Sequence, residues 1–356
     1  MKIIDLKTNR TSFVISAAVA CLNSGGLVIY PTETLYGAGV NATNQTAVNK
    51  LLAYKSRREG KPLSIAVTDQ NMAKKYVVIN QQATDLYQKF LPGPYTIISQ
   101  NKNTIAKGVA SEFNTLGIRI PDYRLIIKIV EQLKKPITAT SANTSGKKRP
   151  YSIADILQNT SKKQQNLIDL VIDAGTLPHN PSSTVIDTTL STPLTLRDNQ
   201  QNKKNTQVLI GNNEEETKQI AGKLLLKHWS QIKKSGLLIG LNGELGAGKT
   251  IFAKGLGKFL GIKQPITSPT YTYIKEYPYH RYLTEGFFFH IDTWKIDSQE
   301  QLDTLKLEKL FKKNNIVAIE WWTQIKQFMP ELEVPRLIID FEVIGQQKRQ
   351  LIIYEA

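Results

Sequence analysis

The chain predicts an α/β protein of two successive domains, an N-terminal α/β domain and a C-terminal phosphate-loop nucleotide-binding fold. Three observations lead there. Its 356 residues exceed what one hydrophobic core usually organises. Apolar strand segments alternate with helical ones along the chain. A glycine-rich octapeptide at 243–250 sits between an apolar strand and a helix.

From the N-terminus, Phe13 to Cys21 follow Lys2, Lys7 and Arg10 and faintly imitate a secretion signal. The same residues put Val14, Ala17, Ala18 and Cys21 on one helical face, and Gly25-Gly26 stops that helix before the strand Leu27-Val28-Ile29-Tyr30. Cleavage there would leave a chain beginning almost inside a buried strand, so a helix is expected. A helix near 44–56 follows, then the strand Leu63 to Val67. Leu125, Ile126, Ile129, Val130 and Leu133 keep helical spacing, and Leu167–Ile172, Thr184–Ile186 and Leu194–Arg197 read as strands. Residues 198–206 carry no apolar side chain and could not help bury a core, which places a linker at 199–206 between domains 1–198 and 207–356. A helix near 213–233, the strand Leu237–Leu241, the glycine-rich loop and a helix to about Leu260 open the second domain. Strands at 287–291, 315–319, 336–341 and 349–354 follow, with a helix near 299–311.

Composition narrows the function classes. The hydrophobic fraction of 41% and charged fraction of 21% suit a globular protein. One cysteine, Cys21, excludes an internal disulfide framework and any cysteine-rich zinc or iron-sulfur site, so a metal here must use oxygen ligands, and a reducing, cytoplasmic setting is expected. No run of about 20 apolar residues is present, and no membrane span is expected. Of the +16 formal charge, residues 1–200 hold 24 Lys+Arg against 13 Asp+Glu, a net of +11, leaving +5 for the rest. Such a surface attracts RNA or phosphorylated substrates, or is a solvated basic face.

The octapeptide Gly243-Glu244-Leu245-Gly246-Ala247-Gly248-Lys249-Thr250 matches the phosphate-loop pattern in full. Glycines let backbone N–H groups point at phosphate oxygens, and the helix N-terminus adds partial positive charge. Lys249 is placed to neutralise the β and γ phosphates, and Thr250 to ligate Mg2+. No guanine-reading Asn-Lys-x-Asp follows, which favours ATP. Asp292 and Glu320, at strand ends, are the carboxylates available for a metal and for an attacking water. In the first domain Tyr30-Pro31-Thr32-Glu33-Thr34-Leu35-Tyr36-Gly37, Lys55-Ser56-Arg57 and Lys61-Pro62-Leu63-Ser64 combine hydroxyls with cations. They read either as a site for a polyphosphate and a small polar substrate or as a turn beside a solvated helix end.

Residues Thr267 to Thr272, Glu276-Tyr277, His290 to Lys295 and Ile319-Glu320-Trp321 resemble, in order and spacing, the TsaE family of small ATPases that assist transfer RNA threonylcarbamoylation. The resemblance covers about 205–356. It implies that Glu320 supports the metal with Thr250, that Asp292 acts in hydrolysis, and that Trp321 lies against the nucleotide. Trp294 and Lys295 stand where the family usually has tyrosine and arginine, and lysine cannot form an arginine's bidentate fork.

Pro92-Gly93-Pro94, Arg119-Ile120-Pro121, Thr140 to Gly146 and Pro181 to Asp187, added to the clusters above, resemble the YrdC/TsaC family over most of 10–198. That resemblance implies a twisted mixed-sheet domain making threonylcarbamoyl-adenylate from L-threonine, bicarbonate and ATP. It implies that Lys55, Arg57, Ser141 and Asn143 hold and activate ATP, joined by Arg197, and that Thr34, Ser64, Arg119 and Ser183 contact threonine. The expected partners are a TsaB/TsaD-type transferase complex and transfer RNA. A carbamoyltransferase of the hydrogenase-maturation type would need cysteine-rich zinc fingers, which one cysteine excludes. The alternative from a different class is an RNA-binding protein with an ATP-dependent switch domain.

Overall fold

A computed structural model describes residues 1–55, 62–144, 147–198 and 206–355. They form two compact units, Met1–Thr189 with Thr195–Gln201, and Leu190–Leu194 with Asn202–Ala356. The expected linker lies outside the described residues except for Thr206, which opens the strand Thr206–Gly211 instead. No helix among the described residues is long and apolar enough to cross a membrane.

The first unit carries two mixed sheets. In one the order is Lys2–Asp5, Leu170–Asp173, Val28–Tyr30, Gly37–Gly39, Thr140–Ser141; the first three strands are parallel and the rest antiparallel. The other runs Leu194–Arg197, Thr184–Asp187, Tyr95–Asn101, Thr115–Arg119, Ser64–Ala66, Ile137–Thr138. The helix Thr11–Asn23 buries Val14, Ile15, Ala18, Val19 and Leu22, against the helix Arg124–Leu133. The stripe expected through Ala17 and Cys21 is therefore rotated: both are half-buried, because the 14-18-22 series flanked by 15 and 19 is more apolar. Gly25, at φ 78°, turns the chain into the strand.

Glycine decides one contact beside the candidate site. The Tyr30 ring lies across Gly37 and Gly39 of the antiparallel neighbour: a Cβ would stand 2.8 Å from Tyr30 Cζ at Gly37 and 2.6 Å from Cε1 at Gly39. The Tyr30 hydroxyl donates to Thr138 O at 2.9 Å, which fixes the ring between the sheets.

In the second unit the order is Thr206–Gly211, Arg349–Glu355, Arg336–Val343, Leu237–Asn242, Ile316–Glu320, Thr284–Asp292, Ile274–Arg281. The central four strands are parallel, and the outer pairings are antiparallel. Register aligns Asp292 with Glu320 and Glu320 with Leu241, so both carboxylates and the loop leaving Asn242 gather at the carboxyl edge of one parallel sheet. The helix Glu214–Ser235 is capped by Asn213, whose side chain accepts from Glu216 N, with three glutamates in its first turn and two lysines in its last. The single helix expected over 299–311 is broken: Gln299–Thr304 ends, Lys306 adopts φ 49°, and Leu307–Leu310 forms a 3-10 turn. That break lets Leu302 and Leu307 both reach the core of Leu238, Ile291, Val317 and Trp322.

Candidate active sites

In the first unit the chain leaving Tyr30 turns through a threonine-centred loop. Thr32 Oγ1 accepts from the backbone N–H groups of Thr34 and Leu35, each at 3.2 Å, and donates to Leu35 O at 2.7 Å. This holds Thr34 Oγ1 where Arg119, the last residue of its strand, donates to it through Nη2 at 3.0 Å. The same Nη2 donates to Glu33 Oε1 at 2.6 Å. Glu33 Oε2, an acceptor, and Arg119 Nε, a donor, lie buried without a partner among the described residues. Arg119 also lines a cavity of about 20 Å3 with Tyr30, Thr32, Gly37, Thr140 and Ser141.

Ser141 also meets Lys55, the last residue of the helix Gln45–Lys55. Its Nζ donates to Ser141 O at 2.7 Å and to Asn143 O at 2.5 Å, and burial pulls its pKa down to about 8. An ammonium that among the described residues meets only neutral carbonyls is a charge in want of an anion. Asn143 Nδ2 donates to Lys147 O at 2.8 Å. Arg197 closes the strand Leu194–Arg197, and desolvation and the like charges of Arg119 and Arg149 depress its basicity. Thus Thr34, Lys55, Arg119, Ser141 and Asn143 are joined by hydrogen bonds and one cavity wall, with Arg197 in their field. Ser64 is paired with Gly117, two residues before Arg119, and Ser183 is buried before the strand Thr184–Asp187; neither lines the cavity. Arg57 lies outside the described residues. Glu33 sits inside the motif at 30–37, but nothing local in the sequence shows that Arg119, 86 positions away, meets it.

In the second unit Gly243, Gly246 and Gly248 take φ of 137°, 78° and 108°, which L side chains avoid. A Cβ at Gly243 would stand 2.8 Å from Phe341 O. The loop and the helix Lys249–Leu260 wall a cavity of about 540 Å3 with Thr250, Asp292, Trp294, Glu320 and Trp321, room for a nucleotide. Leu245, Gly246 and Ala247 line it while Glu244 does not, with Ala247 N–H donating to Glu244 O at 3.1 Å and Leu245 standing 92% exposed. Lys249 Nζ donates to Gly243 O at 2.7 Å and Glu244 O at 2.9 Å, and stands 4.3 Å from the Trp321 ring centroid. Burial depresses its proton affinity, while Glu320 and Asp292 act the other way.

Thr250 Oγ1 donates to Glu320 Oε1 at 3.0 Å, and His290 Nε2 lies 2.8 Å from that oxygen. Asp292 accepts from Thr270 Oγ1 at 2.9 Å, from Ser268 Oγ at 3.4 Å and from Trp294 N at 3.1 Å. Trp321, at φ 62°, is a rare left-handed tryptophan, and this bend sets its indole against Lys249. The donors at this edge are hydroxyl and carboxylate oxygens, the set Mg2+ takes. Among the described residues no cluster of three or more His, Cys, Asp or Glu forms a self-sufficient metal site. Lys295 Nζ stands 5.0 Å from the ring centroid of Trp294, so this pair packs on itself.

Residues 20–199 match the Sua5_yciO_yrdC family profile, described as telomere recombination. A putative threonylcarbamoyl-AMP synthase of Methanocaldococcus jannaschii is 40% identical over 188 residues, 52% of this chain and 86% of that protein. The chain belongs to the Sua5/YciO/YrdC family. The threonylcarbamoyl-AMP synthase of Pyrococcus abyssi is 32% identical over 199 residues, 55% of this chain and 56% of that longer relative. Among solved structures, P. abyssi Sua5 complexed with L-threonine shares the Sua5/YciO/YrdC fold, with 21% identity, TM-score 0.52, and coverage of 90% of this chain and 92% of that one. Residues 211–351 match a second profile, threonylcarbamoyl adenosine biosynthesis protein TsaE. A Sua5/YciO/YrdC unit and a TsaE unit are thus fused on one chain.

Proposed function

We propose that the chain is a bifunctional enzyme of transfer RNA threonylcarbamoyladenosine synthesis. The N-terminal unit forms threonylcarbamoyl-AMP from L-threonine, bicarbonate and ATP, releasing pyrophosphate. The C-terminal unit binds and hydrolyses ATP to support threonylcarbamoyl transfer by a TsaB/TsaD-type complex in the cytoplasm. The observation that carries the first assignment is the juxtaposition of Lys55, a buried cation on carbonyls, with the Thr34–Arg119 pair around Ser141.

Arg119 and Thr34 are suited to a threonine carboxylate and hydroxyl, with Ser64 and Ser183 as further contacts. Lys55, Arg57, Asn143 and Arg197 are suited to the triphosphate. The threonine amine attacks the bicarbonate carbon and water leaves, giving a carbamate whose oxygen displaces pyrophosphate at the α-phosphorus of ATP. Lys55 and Arg57 would meet the charge that builds on the leaving group. This chemistry needs placement and cations more than a proton relay, in keeping with a site that holds no histidine.

In the C-terminal unit Lys249 must leave Gly243 O and Glu244 O for the phosphates. Thr250 and Glu320 would hold Mg2+, which when bound draws charge from the phosphate oxygens. Asp292, fixed by Ser268 and Thr270, would accept a hydrogen bond from the attacking water. Trp321 would lie along the nucleotide. Purified protein should release pyrophosphate from ATP and bicarbonate only when L-threonine is present. Release no greater than in a threonine-free control sinks the assignment, and tight RNA binding with a steep salt slope beside it would favour the RNA-binding alternative.

A further inference from the structure

We propose that Arg349 is a positioning residue for the nucleotide of the C-terminal unit, holding the phosphate loop so that Gly248 N–H faces a phosphate. The inference rests on the reading of 243–250 as an ATP site. Arg349 begins the strand Arg349–Glu355, about 100 positions beyond the loop, and among the described residues its guanidinium hydrogen-bonds to carbonyl oxygens. Nε donates to Ala247 O at 3.0 Å and Nη2 to Gly246 O at 3.3 Å. Nη1 donates to Gly345 O at 3.1 Å and Lys348 O at 3.0 Å, with Gln346 O at 3.5 Å, which anchors the side chain to its own turn.

In a trans peptide the C=O and the following N–H point in opposite directions. Fastening Ala247 O on Arg349 therefore turns Gly248 N–H away from the arginine, toward the cavity that Gly248 lines. The preceding peptide is held at both ends, Gly246 O on Arg349 and Ala247 N–H on Glu244 O. The brace matters because Gly246 and Gly248 both sit at positive φ, where glycine has other backbone wells within easy reach and an unrestrained peptide can turn over. Ammonium cannot reproduce it: the planar fork meets the loop with two nitrogens and its own turn with the third, and lysine offers one point charge.

The test is calorimetric titration of Mg·ATP and Mg·ADP into the full chain and into Arg349→Lys and Arg349→Met, with melting temperatures alongside, all in a Lys55→Met background to silence the first site. Loss of an oriented hydrogen bond to a charged phosphate should raise both dissociation constants about tenfold or more in each variant. AMP, which lacks the β and γ phosphates, should bind weakly to all three and discriminate among them less than ADP or ATP does. Arg349→Lys with wild-type affinity would mean that charge alone matters and would overturn the proposal. So would lowered melting temperatures with unchanged affinities, the mark of a merely structural turn. If Arg349→Met does not fold, Arg349→Lys decides alone. No ADP or ATP binding by the parent chain would instead refute the reading of the loop itself.

Discussion

ATP binding by the N-terminal unit should take up protons as the pH rises, and Lys55 should set the amount. Its Nζ rests on Ser141 O and Asn143 O with no counter-charge among the described residues, and burial pulls the pKa from 10.5 to about 8. A group whose folded pKa is lowered in this way penalises the folded state wherever it is charged in both states, here below pH 8. The shift corresponds to a penalty on the order of 3 kcal/mol, which fades as the pH climbs from about 8 to 10.5, so stability rises over that window. A bound triphosphate supplies the missing counter-charge and restores the usual lysine pKa. The proton uptake on binding follows: about 0.1 per site at pH 7, about 0.5 at pH 8 and about 0.9 at pH 9. Titration calorimetry in buffers of different ionisation enthalpy measures this directly, in a Lys249→Ala background that removes the second site. An uptake flat from pH 7 to 9, or unchanged in Lys55→Met, would refute the reasoning.

Two further outcomes follow from the same geometry. Thr34→Val removes a hydroxyl that Arg119 touches while keeping its shape, so the KM for L-threonine should rise about tenfold with the KM for ATP unchanged, as read from pyrophosphate release. A parallel rise in both constants would mean a general disturbance. Gly39→Ala drives a methyl against Tyr30 and Thr138 O and should cost about 1–3 kcal/mol in urea unfolding, whereas the same change in a Tyr30→Ala background, where the ring is gone, should cost less than about 1 kcal/mol. Equal losses would show that the Tyr30 contact is not what demands glycine.

Local signals carried much of this from the sequence. The strand, glycine-rich loop and helix around 243–250 are contiguous, and Asp292 and Glu320 were legible because each ends an apolar strand. The strand Lys2–Asp5 was not, being four residues long with one buried side chain and held by Leu170–Asp173 far along the chain. The break at Lys306 follows from packing Leu302 and Leu307 on one core, which helical periodicity cannot register. At the sites the same division holds. Thr34 and Lys55 announce themselves by motif, but the Glu33–Arg119 pair, the His290–Glu320 contact and the grip of Arg349 on Ala247 join residues 86, 30 and 102 positions apart. Such partners become visible only when the sheet order is known.

The central claim is that one chain holds two separate ATP sites with different work, and paired single variants test it most directly. Threonine-dependent pyrophosphate release and threonine-independent phosphate release should be measured on the parent chain, on Lys249→Ala and on Arg57→Ala, with the TsaB/TsaD-type proteins present for the second activity. Lys249→Ala should lose only phosphate release and Arg57→Ala only pyrophosphate release. Loss of both activities in either variant, or of neither, would contradict it.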